Sequence, residues 1–126
     1  MQTLVDSSIW IDYFRDGKKP DKLEYLIDEN IVVINDLILA ELVPFLKIKN
    51  QRKIINLLNS IHKLDLQIDW NQIIDYQQKC LKNGIGGIGI PDLIIVQNAI
   101  QNKCKIYSLD NHFKLMKKII LIKLTE

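Results

Sequence analysis

GIGGIGIPD, Gly84 to Asp92, is the stretch whose reading decides the fold of this chain. Gly84, Gly86 and Gly89 spell Gly-x-Gly-x-x-Gly, the dinucleotide-binding fingerprint, and Asp110 lies about twenty residues on, where that motif places its ribose-binding carboxylate. The fingerprint needs a strand directly before its first glycine, because the turn carries the chain from strand to phosphate-binding helix. Here the preceding residues form a helix. Asp69 caps it, Trp70 to about Lys82 build it, and Asn83-Gly84 ends it. The first strand of the chain, Thr3 to Val5, runs into Asp6-Ser7-Ser8 and has no glycine. Both requirements fail, so the match is accidental. The glycines read as a flexible connection to the helix that Pro91 opens, to about Asn102. A glycine-rich loop beside an active edge can also cover or admit a substrate.

Working outward from that loop, short apolar runs alternate with helical patterns. Ser7 or Ser8 can cap a helix from Ile9 to Arg15, which stops at Asp16-Gly17. Pro20 opens a second helix, to about Asp28. Ile31 to Ile34 is a β-branched run and hence a strand. Asn35 or Asp36 caps a helix from about Leu37 to Leu46, and Gln51 to Ile61 is a further helix. Leu64 to Ile68 is read as a strand, Lys105 to Leu109 as another, Asn111 to Lys118 as a helix, and Ile119 to Lys123 as a final strand. Strands alternating with helices predict an α/β fold around a mainly parallel sheet of four to five short strands. In such sheets ligands bind beyond the carboxyl ends of the strands.

The 126 residues suit one domain, 1–126, with a real core. Apolar residues make up 48% and charged residues 25%, an ordinary globular composition. No apolar run is long enough to cross a bilayer, and the opening MQTLVDSS carries an acid where a secretory signal would be basic. The expected location is the cytoplasm, without membrane association. Cys80 and Cys104 are isolated and lack histidine pairs, so they read as reduced thiols packed as small apolar residues. The net charge of +2 is mildly basic. Lysines cluster at Lys18–Lys19, at Lys47, Lys49 and Lys53 with Arg52, and at Lys117–Lys118. Such clusters suit a polyanion or simply a solvated helix face.

The chemistry lies in the acids. Asp6 directly follows the first strand, and Asp110 directly follows the Lys105–Leu109 strand. Asp92 stands in the first turn of its helix, and Glu41 stands early in the helix after the second strand. A parallel sheet brings all four to its carboxyl-end edge. Ile38, Glu41, Leu42 and Phe45 fall on one helix face, and Asp92 shares a face with Ile95, Val96 and Ala99. A carboxylate on a core-facing stripe is costly without a compensating charge. Taken singly, Asp6 and Asp110 also suit helix caps, and Asp92 suits a helix N-terminus. Taken together, four carboxylates repel unless a cation neutralises them, and no basic side chain lies within these motifs to do so. A hard divalent cation, Mg²⁺ or Mn²⁺, suits this oxygen-rich, thiol-free, histidine-poor set. Acids around one or two such ions are what phosphodiester hydrolysis requires.

Four segments, LVDSSIWIDYF, NDLILAELV, IPDLIIVQNAI and IYSLDNHF, give the chain its resemblance to PIN domains, and specifically to VapC-type toxin ribonucleases. Their order and spacing cover essentially the whole chain. The resemblance implies an α/β/α sandwich that binds Mg²⁺ or Mn²⁺ and hydrolyses RNA. It implies that Asp6, Glu41, Asp92 and Asp110 are the metal-binding and catalytic acids, and that Ser8 supports the first acid or a metal-bound water. Ser108 matches the hydroxyl residue two before the last acid. It also implies a small cognate antitoxin and a homodimer. The motif departs from the family at His112, where a second acid is common. His112 is read as a contact to a phosphate or as a polar helix-start residue.

Among the remaining residues, Arg15 and the lysines are expected to position RNA phosphates. Trp10 lies among Ile9, Ile11 and Phe14 and reads as core, with base stacking as the alternative. His62 and His112 lie on separate predicted helices, which argues against a metal-free histidine pair. A phosphoacceptor receiver domain would need an acidic pair after the first strand and a late Lys-Pro. Asp6 is followed by serines, and Lys19-Pro20 comes far too early. A PIN-like module that only binds partners is the other alternative, and the intact quartet of acids argues against it.

Overall fold

Three residues suffice for the first strand. Thr3–Val5 (β1) are all buried, as are the four of Val32–Asn35 (β2). Strands covered on both faces read as unbroken apolar runs, and only a parallel sheet wrapped by helices buries them so. The computed structural model describes residues 1–15 and 21–125. The expected helix stop at Asp16-Gly17, the opening at Pro20 and the Lys18–Lys19 cluster lie outside the described residues.

Along the chain, β1 leads into α1 (Ser7–Arg15) and α2 (Asp21–Asp28), then β2, α3 (Asp36–Ile48) and α4 (Arg52–Ser60). Next come β3 (His62–Leu64), α5 (Trp70–Lys82), α6 (Ile90–Gln101), β4 (Lys105–Tyr107), α7 (Asn111–Met116) and β5 (Lys123–Leu124). The five strands are all parallel and lie in the order β3-β2-β1-β4-β5, flanked by helices in an α/β/α sandwich. The chain winds from β1 outward through β2 to β3, then crosses back to lay β4 on the other side of β1. The reversal between β1 and β4 is the topological switch point, where the loops part and leave a crevice.

The core is built on the sheet from Leu4, Val33, Ile34 and Ile106, with Trp10, Leu23, Ile38, Leu58, Ile73 and Phe113 supplied by the helices. Helix α6 is buried all round from Leu93 to Ala99. Two amides in that run, Gln97 and Asn98, are satisfied there. Gln97 accepts from the Asp69 N–H and donates to Gln72, while Asn98 donates to the Asp65 carbonyl and accepts from Asn35 Nδ2. Asn35 also caps α3, accepting the Ile38 N–H at 2.9 Å. A single fully buried side chain therefore joins the ends of β2, α3 and α6.

The glycine loop resolves into two parts. Gly84, in the left-handed region at φ 74°, ends α5. Its N–H reaches the Leu81 carbonyl, and the Ile85 N–H reaches that of Cys80, the paired bonds of a Schellman stop. Ile88 then anchors the loop by burying its side chain and accepting Gln77 Nε2 at 2.7 Å.

Several expected boundaries move. The strand expected at Leu64–Ile68 is His62–Leu64, because parallel pairing with Val33–Asn35 fixes its register two residues earlier. The expected final strand Ile119–Lys123 is Lys123–Leu124 alone. Residues 119–122 are apolar but serve as a turn, with the Ile122 N–H bonded to the Ile120 carbonyl. The strand after α6 stops at Tyr107 and α7 stops at Met116, each two residues short of expectation. His62 accordingly begins an edge strand rather than lying on a helix.

Candidate active site

The pairing of β1 with β4 builds the site. Val5 lies opposite Tyr107, and the Asp6 N–H donates to the Tyr107 carbonyl at 2.9 Å, so Asp6 leaves the sheet beside Ser108. Ser108 Oγ donates to Asp6 Oδ2 at 2.8 Å, and Ser8 Oγ donates to the same oxygen at 2.9 Å. Each hydroxyl in turn accepts a backbone N–H, Ser8 from Leu109 and Ser108 from Asp110. These incoming bonds leave the hydroxyl protons to point at the carboxylate. Asp6 is only 5% exposed, and two donors hold one of its oxygens. Among the described residues none donates to the other oxygen, Oδ1. The expected capping by Ser7 or Ser8 is not what forms: both lie inside α1, whose first turn closes on the Asp6 carbonyl.

Asp110 is a helix cap as well as a site residue. Its Oδ1 accepts the His112 N–H at 2.9 Å and starts α7. That bond turns the His112 ring back over the carboxylates, with Nδ1 at 3.4 Å from Asp110 Oδ1 and 3.5 Å from Asp92 Oδ2. Nδ1 is buried and makes no hydrogen bond. One ligand atom from each of Asp92, Asp110 and His112 lies within 4.8 Å of the others. The Asp92 carboxyl is pushed above the usual carboxylate range, by burial first, then by the like charge of Asp110 and less by that of Asp6. The His112 ring opposes the shift.

Glu41 completes the edge from the β2 side. It does not sit on a core-facing stripe as expected. The buried stripe of α3 is Ile38, Leu42 and Leu46, while Phe45 is 60% exposed and Glu41 lies on the solvent side. Its carboxyl nevertheless belongs to the cluster. Burial pushes it up first, then the charges of Asp6 and Asp92, with the Ser7 hydroxyl pulling the other way. Asp6 and Asp92 thus act on Glu41, and Asp110 and Asp6 on Asp92, at one end of the sheet. Among the described residues no lysine or arginine forms an ion pair with any of these four acids. Glu41 and Asp92, raised by burial and then by neighbouring acids, with an orphaned nitrogen facing Asp92 and Asp110, give a donor set suited to a divalent cation.

The other residues singled out in the sequence fall elsewhere. Arg15 is exposed at the last turn of α1, about 13 Å along the helix from Asp6 at 1.5 Å per residue. Trp10 is fully buried and stacks on Phe14 with ring centroids 5.8 Å apart, so it is core and not a base platform. His62 starts β3 at the opposite end of the sheet from the acids. Cys80 and Cys104 are free, buried thiols. Lys114, one of the lysines expected to position phosphates but not singled out among them, lines a groove of about 460 Å³ with Tyr107, Ser108, Asp110, Lys117 and Thr125. Its spacing from Asp110 and Lys117 along α7 was the available signal. A larger apolar groove of about 780 Å³, lined by Trp70, Ile74 and Leu81 on α5, contains none of the acids.

Several solved structures share this architecture. VapBC2 from Rickettsia felis, bound to a DNA fragment from its promoter, superposes with a TM-score of 0.79 at 22% identity, covering 99% of this chain and 98% of that one. DNA-bound VapBC from Salmonella typhimurium gives 0.77 at 13% identity, covering 99% and 97%. VapBC-1 from nontypeable Haemophilus influenzae gives 0.74 at 17% identity, covering 100% and 98%. A comparison with curated proteins finds no match. Residues 3–119, which run from β1 to just beyond α7 and include all four acids, match the family model described as PIN domain, and the chain belongs to that family.

Proposed function

We propose that this protein is a divalent-metal-dependent endoribonuclease and the toxin of a toxin–antitoxin pair. The observation that carries the reading is the meeting of Asp6, Glu41, Asp92 and Asp110 at the switch point with no lysine or arginine, among the described residues, paired to them. Asp6, Asp92 and Asp110 would hold Mg²⁺ or Mn²⁺. The ion would supply activation of water and stabilisation of charge on the phosphate and the leaving oxygen. The protein's own groups do the rest. Ser8 and Ser108 hold Asp6 through Oδ2 and leave its Oδ1 free to take part in the site. Glu41, with its raised pKa, orients the attacking water or accepts its proton. Lys114 and Lys117 line the adjoining groove and neutralise RNA phosphates along it.

Toxin function is supported by the likeness to VapBC complexes over nearly the full length of those chains. On this reading the protein works in the cytoplasm, is blocked by a cognate antitoxin and forms a homodimer. Among the described residues no helix is long and apolar enough to cross a membrane. The test is incubation of purified protein with total RNA, with Mg²⁺, with Mn²⁺ and with chelator, beside an Asp6→Ala variant. Cleavage should need both the ion and Asp6. Cleavage that ignores both would overturn the proposal.

A further inference from the structure

We propose that His112 is a nitrogen ligand of the divalent-ion site, forming with Asp92 and Asp110 a mixed oxygen–nitrogen donor set that favours Mn²⁺ over Mg²⁺. The inference rests on the metal-dependent reading above and deepens it.

The backbone fixes the ring before any ion is considered. Asp110 caps α7 through the His112 N–H, so the carboxylate and the imidazole belong to one short turn. Asp92 comes to them from a different element, the first turn of α6. Nδ1 lies 3.4 Å and 3.5 Å from the two carboxylate oxygens. Adjacent ligands on an octahedral ion at about 2.1 Å stand about 3.0 Å apart. Nδ1 therefore needs to close by only a few tenths of an ångström on either carboxylate to share an ion with it, and the two carboxylate atoms already lie within 4.8 Å of each other.

Burial points the same way. The histidine side chain is 38% exposed, yet Nδ1 is buried and makes no hydrogen bond. The ring thus turns one nitrogen into the acidic crevice and leaves its other edge toward solvent. A buried polar nitrogen without a partner is costly, and among the described residues only the two carboxylates face it. Both contacts are longer than a good charge-assisted hydrogen bond. Coordination satisfies all three groups at once.

The identity of the ion follows from ligand chemistry. Mg²⁺ demands oxygen donors and holds its waters, whereas imidazole binds first-row transition ions readily. Replacing one oxygen donor by nitrogen therefore costs Mg²⁺ more than Mn²⁺. The sequence alone gave His112 a phosphate or helix-start role, because the two-residue spacing from Asp110 does not reveal which way the ring turns.

The test uses the metal-free full-length protein. Mn²⁺ is added to the wild type and to Asp92→Asn, His112→Gln and His112→Asp variants. Pulsed electron paramagnetic resonance then reads nitrogen coupling to the bound ion, and calorimetry gives the Mn²⁺ and Mg²⁺ affinities. Wild-type Mn²⁺ should show imidazole nitrogen coupling that His112→Gln and His112→Asp abolish. The preference for Mn²⁺ over Mg²⁺ should fall by about tenfold or more in His112→Asp, since even outer-shell changes at metal sites cost 10–100-fold. Mn²⁺ that binds with dependence on Asp92 but without nitrogen coupling would overturn the inference and leave the nuclease reading standing. Binding of Mg²⁺ but not Mn²⁺ by the wild type would overturn the inference alone, and failure to bind either ion would overturn both. The wild-type spectrum decides the point even if a variant folds poorly.

Discussion

Replacing Asp92 by asparagine should stabilise the metal-free protein and destabilise it, relative to wild type, once a divalent ion is present. The side chain keeps its shape and loses its charge. Ligand atoms of Asp92 and Asp110 lie within 4.8 Å. At that separation two unit charges repel by about 0.9 kcal/mol in water and about 3.5 kcal/mol at an effective dielectric of 20. Asp92 is partly exposed, and His112 offsets some of the repulsion, so the lower figure governs. Asparagine should relieve about 1 kcal/mol. For a chain of 126 residues the entropy of unfolding is about 0.26 kcal/mol/K, so the melting temperature should rise by about 4 °C in chelator at neutral pH. The Asp92 pKa is raised in the folded state, so the charged form is penalised at neutral pH. That penalty disappears as pH falls through the raised pKa, and the wild type should catch up with the variant there. At about a hundred times its Kd, an ion adds about 2.7 kcal/mol to the wild type, roughly 10 °C, and little to the variant. The order of melting should therefore invert on adding Mg²⁺ or Mn²⁺. Thermal unfolding followed by circular dichroism in the two buffers is sufficient. A variant that melts below wild type in chelator, or equal shifts for both proteins with the ion, would refute the reasoning.

Further substitutions probe the supports of the site. Ser108→Ala removes the donor to Asp6 Oδ2 and the acceptor of the Asp110 N–H, and should lower stability by about 2 kcal/mol in urea titrations along with the cleavage rate. Asn35→Ala strips the cap of α3 and leaves Asn98 Oδ1 unpaired, so a loss of about 3 kcal/mol is expected from the same measurement. Lys103 ends α6 at φ 54°, where a Cβ is unfavourable, and Lys103→Gly should gain about 1 kcal/mol without altering cleavage. A loss on that change would mean that the Lys103 side chain contributes more than the relief of backbone strain.

The sheet and its carboxyl edge were legible because their signals are local. A threonine and two apolar residues, then an acid and two serines, state β1 and its exit, and Pro91 states the start of α6. The helix before Gly84 was enough to set aside the dinucleotide motif. Residues 119–122 were not legible. They are as apolar as any strand, but they bury themselves in a turn, and only pairing distinguishes the two. The side preference of Glu41 also escaped the pattern. Phe45 is apolar and yet exposed, so it drew the apparent stripe toward the solvent face of α3. The direction of the His112 ring depends on a cap formed by a neighbour, which spacing along the chain cannot report.

The switch point has a consequence for how the molecule comes into being. Ser108 meets Asp6 across 102 positions of chain, and β4 must pair on the free edge of β1, where β5 later joins it. During synthesis the first acid waits, and the partner strand that closes the crevice emerges near the end. A nascent chain that stops inside the glycine loop carries two acids and lacks the other two. The acidic edge is therefore completed last, and an unfinished copy lacks half of it.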